Sequence, residues 1–234
     1  KRQELNELIK KESESIPGIE LNSANIAENI SEDDLESLEQ IETPLIGIEG
    51  HIKIWDPESG EVMVRRRNAV NFENMSIALA SLLANESGST STYEIKTMRF
   101  GKGGTSIDGL GAVTYKATNT NSASGALYNE THSSTIDETI SGSADNSVEM
   151  SHTSPNTHSD VIATCTLDYG APSGQDTSDT ATNMNGTYVF DELALYTANN
   201  TLLTHVIFHP VQKSANRKIQ VVYTLRIRSS FADL

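Results

Sequence analysis

The sequence predicts a mainly β protein: an antiparallel β-sandwich or jelly-roll with one inserted helix, preceded by an N-terminal helical arm. Three observations carry that expectation. Apolar residues recur at helical spacing before Ile46 and at strand spacing after it. The stretch 217–228 alternates without interruption, with Ile219, Val221, Tyr223, Leu225 and Ile227 set against Gln220, Val222, Thr224, Arg226 and Arg228. Strand-like blocks amount to about seven in all, enough for a two-layer antiparallel architecture.

Residues 1–46 read as an acidic helical assembly arm and 47–234 as the sandwich domain. Leu5, Leu8 and Ile9 fall on one helical face, and Pro17-Gly18 stops that helix. Ser31 can cap a second helix ahead of Glu32-Asp33-Asp34, acids that suit the positive end of the helix dipole. Its stripe is Leu35, Leu38 and Ile41. Short helices are marginal without tertiary packing, so both stripes are expected to bury themselves on another copy or a neighbouring protein.

From Ile46 onward the elements follow in order. Ile52 and Ile54 alternate with His51, Lys53 and Trp55, Asp56-Pro57-Glu58-Ser59-Gly60 turns the chain, and Val62 and Val64 alternate back, which makes a β-hairpin. Asn71 caps a helix in which Phe72, Met75, Leu79, Leu82 and Leu83 share a face, expected to lie on the core as a lid. Tyr93 to Phe100 is a strand ended by Gly101-Lys102-Gly103-Gly104-Thr105. Residues 114–159 are dominated by Ser, Thr, Asn, Asp and Gly and predict a long polar arm or insertion. Strands resume at 161–168, 186–197, 202–209 and 217–228.

Charge and composition exclude several classes of function. Net charge is −15, and four Lys/Arg against thirteen Asp/Glu in the first fifty residues place −9 of it there. Such a field repels nucleic acid and anionic lipid, so no direct nucleic-acid or membrane partner is expected. The basic triplet Arg65, Arg66 and Arg67 is an interface candidate for an acidic patch, or else a solvated strand end. Cys165 is the one cysteine and sits in a strand block, which predicts a buried thiol without a disulfide. No 18-residue apolar run and no signal-like apolar region occurs, so synthesis in a reducing cytoplasm is the simplest expectation.

The chemistry-bearing residues do not assemble into a catalytic motif, and the chain is expected to be a non-enzyme with no cofactor or metal. The loop at Gly101–Thr105 superficially suggests a phosphate loop, but its lysine precedes the paired glycines and the Walker spacing is missing. His205 and His209 lie on a strand, where residues four apart are about 13 Å distant, so they cannot share an ion. Asp176, Asp179, Asn183 and Asn185 precede Gly186, yet Ala181 occupies the first position of the calcium-loop pattern. Asp168, Asp191 and Glu192 could supply an acid and base, but adjacent Asp191 and Glu192 point to opposite faces of a regular strand.

Three stretches, Gly50-His51-Ile52-Lys53-Ile54-Trp55-Asp56-Pro57, Tyr188-Val189-Phe190-Asp191-Glu192-Leu193-Ala194-Leu195-Tyr196 and Leu203-Thr204-His205-Val206-Ile207-Phe208-His209-Pro210, resemble blocks in virion structural proteins of large tailed bacteriophages. The likeness spans residues 47–228. It implies a β-sandwich subunit that assembles with copies of itself and with neighbouring virion proteins. A neck or collar position suits a helical arm plus a sandwich; baseplate, tail-fibre connector and capsid decoration are the alternatives. The rival function is a receptor- or glycan-binding module that uses Trp55, Tyr115 and Tyr128 as sugar-stacking aromatics.

Overall fold

The computed structural model describes residues 44–84, 92–136, 145–177 and 188–231. The chain divides into two compact units after Leu45, and the unit Ile46–Ser230 contains the features described below. The predicted arm, with Leu5, Leu8, Ile9, Leu35, Leu38 and Ile41, lies outside the described residues, as do Asp179, Asn183 and Asn185.

The described elements in chain order are β1 (Pro44–Trp55), β2 (Val62–Arg67), β3 (Ala69–Val70), α1 (Phe72–Ala84), β4 (Ile95–Gly101), β5 (Thr105–Ile107) and β6 (Val113–Tyr115). They continue with β7 (Glu130–Thr135), β8 (Asn146–Ser151), β9 (His158–Leu167), β10 (Val189–Thr197), β11 (Leu202–Gln212) and β12 (Ile219–Phe231). One sheet has the order β2-β1-β12-β9-β8 and the other β3-β11-β10-β4-β7, while β5 and β6 form a small separate hairpin. The paired strands run antiparallel: β1 with β2, β9 with β8 and β12, β10 with β4 and β11, and β4 with β7. The fold is mainly β and sandwich-like.

Both sheets feed one hydrophobic core. Ile52, Ile54, Cys165, Leu167, Val221 and Tyr223 come from the first sheet, and Met98, Phe100, Leu193, Leu195 and Phe208 from the second. The alternation read in β12 is the burial pattern observed, with Ile219, Val221, Tyr223 and Leu225 buried. Phe100 and Phe190 pack ring against ring with centroids 5.0 Å apart. Burial pushes the Cys165 thiol up to about 12, so it is an inert core residue. The predicted first hairpin forms with Ile54 opposite Val64. Its turn closes because Asp56 Oδ1 accepts the amides of Glu58 and Ser59, and Gly60 takes the left-handed φ of 75° that the turn requires.

Two expectations change. The helix forms where the sequence places it, but its buried face carries Asn74, Met75, Ala78 and Ser81, while Phe72, Leu82 and Leu83 are exposed. The helix is thus rotated by about one residue step, roughly 100°, relative to the apolar stripe. Asn74 sets that rotation: its Nδ2 donates to Leu202 O at 2.8 Å and Ala123 O at 3.1 Å, which turns a polar side chain inward. The polar stretch 114–159, expected as a long arm or an insertion, contributes edge strands in part of its described length. It supplies β7 beside β4 and β8 beside β9, because hydroxyl-rich sequence satisfies an edge strand through its backbone regardless of side-chain hydrophobicity.

Two outcomes check this packing. Cys165 should resist a thiol reagent in the native protein and react once denatured, and Leu193→Ala should cost about 2–5 kcal/mol in denaturant unfolding. Asp160 receives Arg226 Nε and Nη2, each at 2.7 Å, and this hydrogen bonding holds its carboxyl below the usual range. A carboxyl whose folded pKa is lowered contributes stability above its unfolded value and loses it as pH falls through the folded one. Asp160→Asn should therefore reduce the melting temperature near pH 7 and differ progressively less from wild type towards about pH 2.

Candidate functional site

Strand β10 is buried along its whole length, a pattern that the core on one face does not explain. The other face lies under the segment Lys102–Asn129, which includes the β5–β6 hairpin, and three buried ionisable side chains hold that segment down. Asp191 Oδ1 accepts the amides of Gly103 (2.8 Å) and Gly104 (2.9 Å), and Oδ2 accepts the amide (2.9 Å) and hydroxyl (2.6 Å) of Thr105. Glu192 accepts the Asn129 amide on Oε1 (2.8 Å) and the Tyr128 amide on Oε2 (2.9 Å). His205 Nδ1 accepts the Asn119 amide at 2.8 Å, and its Nε2 lies 3.1 Å from Glu192 Oε2. A backbone amide can only donate, so Nδ1 carries no proton and Nε2–H donates to the carboxylate.

Local sequence explains each contact. The glycine loop does cradle an anion, but the anion is the protein's own Asp191 carboxylate: successive main-chain N–H groups form a concave donor set of the kind that binds phosphate elsewhere. Gly101 admits Glu192 to this face, since a Cβ there would come within 2.6 Å of Glu192 Oε1 and 2.7 Å of Asn129 O. Gly104 lies against Ile207, 2.9 Å from an added Cβ. Asn71 completes the attachment. Its Oδ1 caps α1 by accepting the Asn74 amide (3.1 Å) and its Nδ2 donates to Ser122 O (2.7 Å).

Asp191 and Glu192 do not obey the opposite-face expectation. A bulge between Phe190 and Glu192 breaks the regular alternation, and both carboxylates end on the backbone of the same covering segment. They still do not form a catalytic couple. Asp191 is 3% exposed, and Glu192 and His205 are fully buried. Every oxygen of the two acids and both ring nitrogens of His205 already have partners, so a substrate could reach them only by displacing the main chain that covers them.

The remaining predicted residues are dispersed. His209 is exposed, with Nδ1 3.4 Å from Tyr115 Oη, apart from buried His205. Asp168 follows β9 in the other sheet, exposed, its carboxyl held below the usual range mainly by the Tyr169 amide. Asp176 accepts Gln212 Nε2 at 3.3 Å and forms a bridge to Ser214. Among the described residues no group of His, Cys, Asp or Glu is arranged to hold a metal ion.

The three aromatics proposed for sugar stacking each have a cation on the ring: Lys53 over Trp55 at 3.8 Å, Arg66 over Tyr115 at 5.2 Å and Lys116 over Tyr128 at 4.3 Å. Trp55 also donates its indole N–H to Gln220 at 3.1 Å. Arg66 Nη1 donates to Ile207 O at 2.7 Å and Arg67 pairs with Glu49 at 3.4 Å, so the arginine triplet is partly engaged within its own domain. Sequence reasoning missed the tethering roles of Asn71 and Asn74. The available signal was an asparagine in the first turn of a mostly apolar helix.

Asp191→Ala should remove the acceptor for four donors, lower the unfolding free energy by about 2–4 kcal/mol and accelerate hydrogen exchange at Gly103, Gly104 and Thr105. Asp191→Asn, which keeps one acceptor oxygen, should lose less. Unchanged protection of those amides in the alanine variant would refute the anchoring role. No protein-family model, curated protein or solved structure matches this chain.

Proposed function

We propose that this chain is a non-enzymatic structural subunit of a bacteriophage virion, placed at the neck or collar, that works by assembling with copies of itself and with neighbouring virion proteins. On this reading the jelly-roll-like sandwich is the rigid body and the N-terminal segment is a helical arm. Of the polar stretch 114–159, expected as a long arm or an insertion, the strands at 130–135 and 146–151 pair within their own domain, so this reading rests assembly on the N-terminal segment and α1.

The observation that carries the proposal is the outward apolar face of α1. Phe72 is 72% exposed and Leu83 89%, with Ile77 and Leu82 also exposed, and Glu73 is the only charged residue in the helix. Contiguous exposed apolar surface marks protein contact sites, whereas singly exposed apolar residues are ordinary. Beside it lies a cleft of about 270 Å³ where Ile48, Val70 and Phe72 meet Arg67. Leu35, Leu38 and Ile41 among Glu32, Asp33, Asp34, Glu36 and Glu39 give the leader of a neighbouring copy the complementary composition. The way Asp191, Glu192 and His205 are used supports the non-enzymatic reading, since they are taken up in holding main chain.

Light scattering of the full chain over a concentration series tests the proposal. A discrete oligomer is expected. Phe72→Asp with Leu83→Asp, and separately Leu35→Asp with Leu38→Asp, should each weaken association at least about tenfold while leaving the circular dichroism of the β domain unchanged. Association that is indifferent to both pairs would sink the assignment of these surfaces.

A further inference from the structure

Between the end of the covering segment and the second sheet lies a cleft of about 360 Å³, lined by Arg99, Ser124, Ala126, Leu127, Glu130 and Asn200 among others. That size falls within the range of about 300–1,000 Å³ usual for small-ligand sites. Arg99 sits on β4 opposite Ala194 of β10 and Ser133 of β7. Its guanidinium lies 4.0 Å above the Tyr196 ring and is fixed from three sides: Nε donates to Thr97 Oγ1 (3.3 Å), Nη1 to Glu130 Oε2 (3.2 Å) and Nη2 to Asn200 Oδ1. Asn200 reaches it from the β10–β11 turn, where it adopts a left-handed φ of 69°.

This arrangement leaves hydrogen-bonding capacity on both sides of the cleft. Each Nη of Arg99 retains a second N–H, Asn200 retains its Nδ2 donors, and Glu130 retains Oε1 as an acceptor. The guanidinium is already stacked and bonded, so little entropy remains to be lost when a ligand binds.

The donor and acceptor pattern selects the ligand. An anion would be drawn to Arg99 but repelled by Glu130, and a cation would meet the reverse. A purely apolar molecule would strand both polar groups without water. Vicinal hydroxyls match, because each can accept from Arg99 or Asn200 while donating to Glu130, and Ala126 and Leu127 offer an apolar wall for the carbon face of a ring. We propose that this cleft binds a neutral saccharide unit through Arg99, Glu130 and Asn200. The site is separate from α1 and does not depend on the assembly reading.

The test is amide chemical-shift titration of the full chain with methyl α-D-glucopyranoside, methyl β-D-galactopyranoside and N-acetylglucosamine, with sodium acetate as the anion control. At least one saccharide should give saturable shifts at 123–127 and 199–202 with a dissociation constant of about 1–10 mM, and acetate should give none. Glu130→Gln and Asn200→Gly should each weaken binding about tenfold with native spectral dispersion, since glycine keeps the left-handed turn and neither change touches the core. No saturable shift from any of the three sugars, binding indifferent to both variants, or saturation by acetate at the same amides would overturn the proposal.

Discussion

Two adjacent carboxylates, Asp191 and Glu192, hold the outer layer of this protein in place. Removing an ionised carboxylate from water is costly, and the cost is offset only when each oxygen receives well-placed donors. Here the donors are backbone amides of Gly103, Gly104, Thr105, Tyr128 and Asn129, joined by the Thr105 hydroxyl and the His205 imidazole. Charge-assisted hydrogen bonds of this kind are about twice as strong as neutral ones, which lets a hydroxyl- and glycine-rich segment with few apolar residues lie flat on a sheet. The rest of the outer face follows from that attachment.

Because the segment is held at both ends, intermediate polar contacts become possible. His205 meets the Asn119 amide, and Asn71 and Asn74 reach the carbonyls of Ser122 and Ala123. The last of these contacts turns α1 so that Asn74 faces inward beside Met75, while Phe72, Leu82 and Leu83 of the apolar stripe are left exposed. The exposure of Phe72 and Leu83 is therefore a consequence of polar satisfaction inside the domain. A surface suited to assembly and a buried network that stabilises the subunit are two results of one arrangement. Arg99 and the cleft it lines lie where that covering segment gives way to β7.

Several features were legible in the sequence because they depend on local rules. The first hairpin, the Asn71 cap and the alternation of β12 all formed where predicted, since turn chemistry and period-two patterning act over a few residues. The buried Cys165 followed from its strand block for the same reason. The edge strands β7 and β8 were not legible. Their residues, Glu130–Thr135 and Asn146–Ser151, carry little apolar periodicity, and backbone pairing with β4 and β9 supplies the order instead. The glycine loop was readable as a donor-rich turn, but its anion lies nearly ninety residues further along the chain.

By itself the sequence determined the mainly β class, the position of the single described helix, the core face of the final strand and the acidic charge of the leader. Each depends on periodicity, capping or composition, all of which are properties of neighbouring residues. Only the tertiary structure decided that Asp191, Glu192 and His205 are structural anchors, that α1 buries Asn74 and leaves Phe72 and Leu83 outward, and that Arg99, Glu130 and Asn200 meet in one cleft. Those outcomes depend on hydrogen bonds between residues distant in sequence, whose partners are chosen by which groups remain unsatisfied when the sheets close.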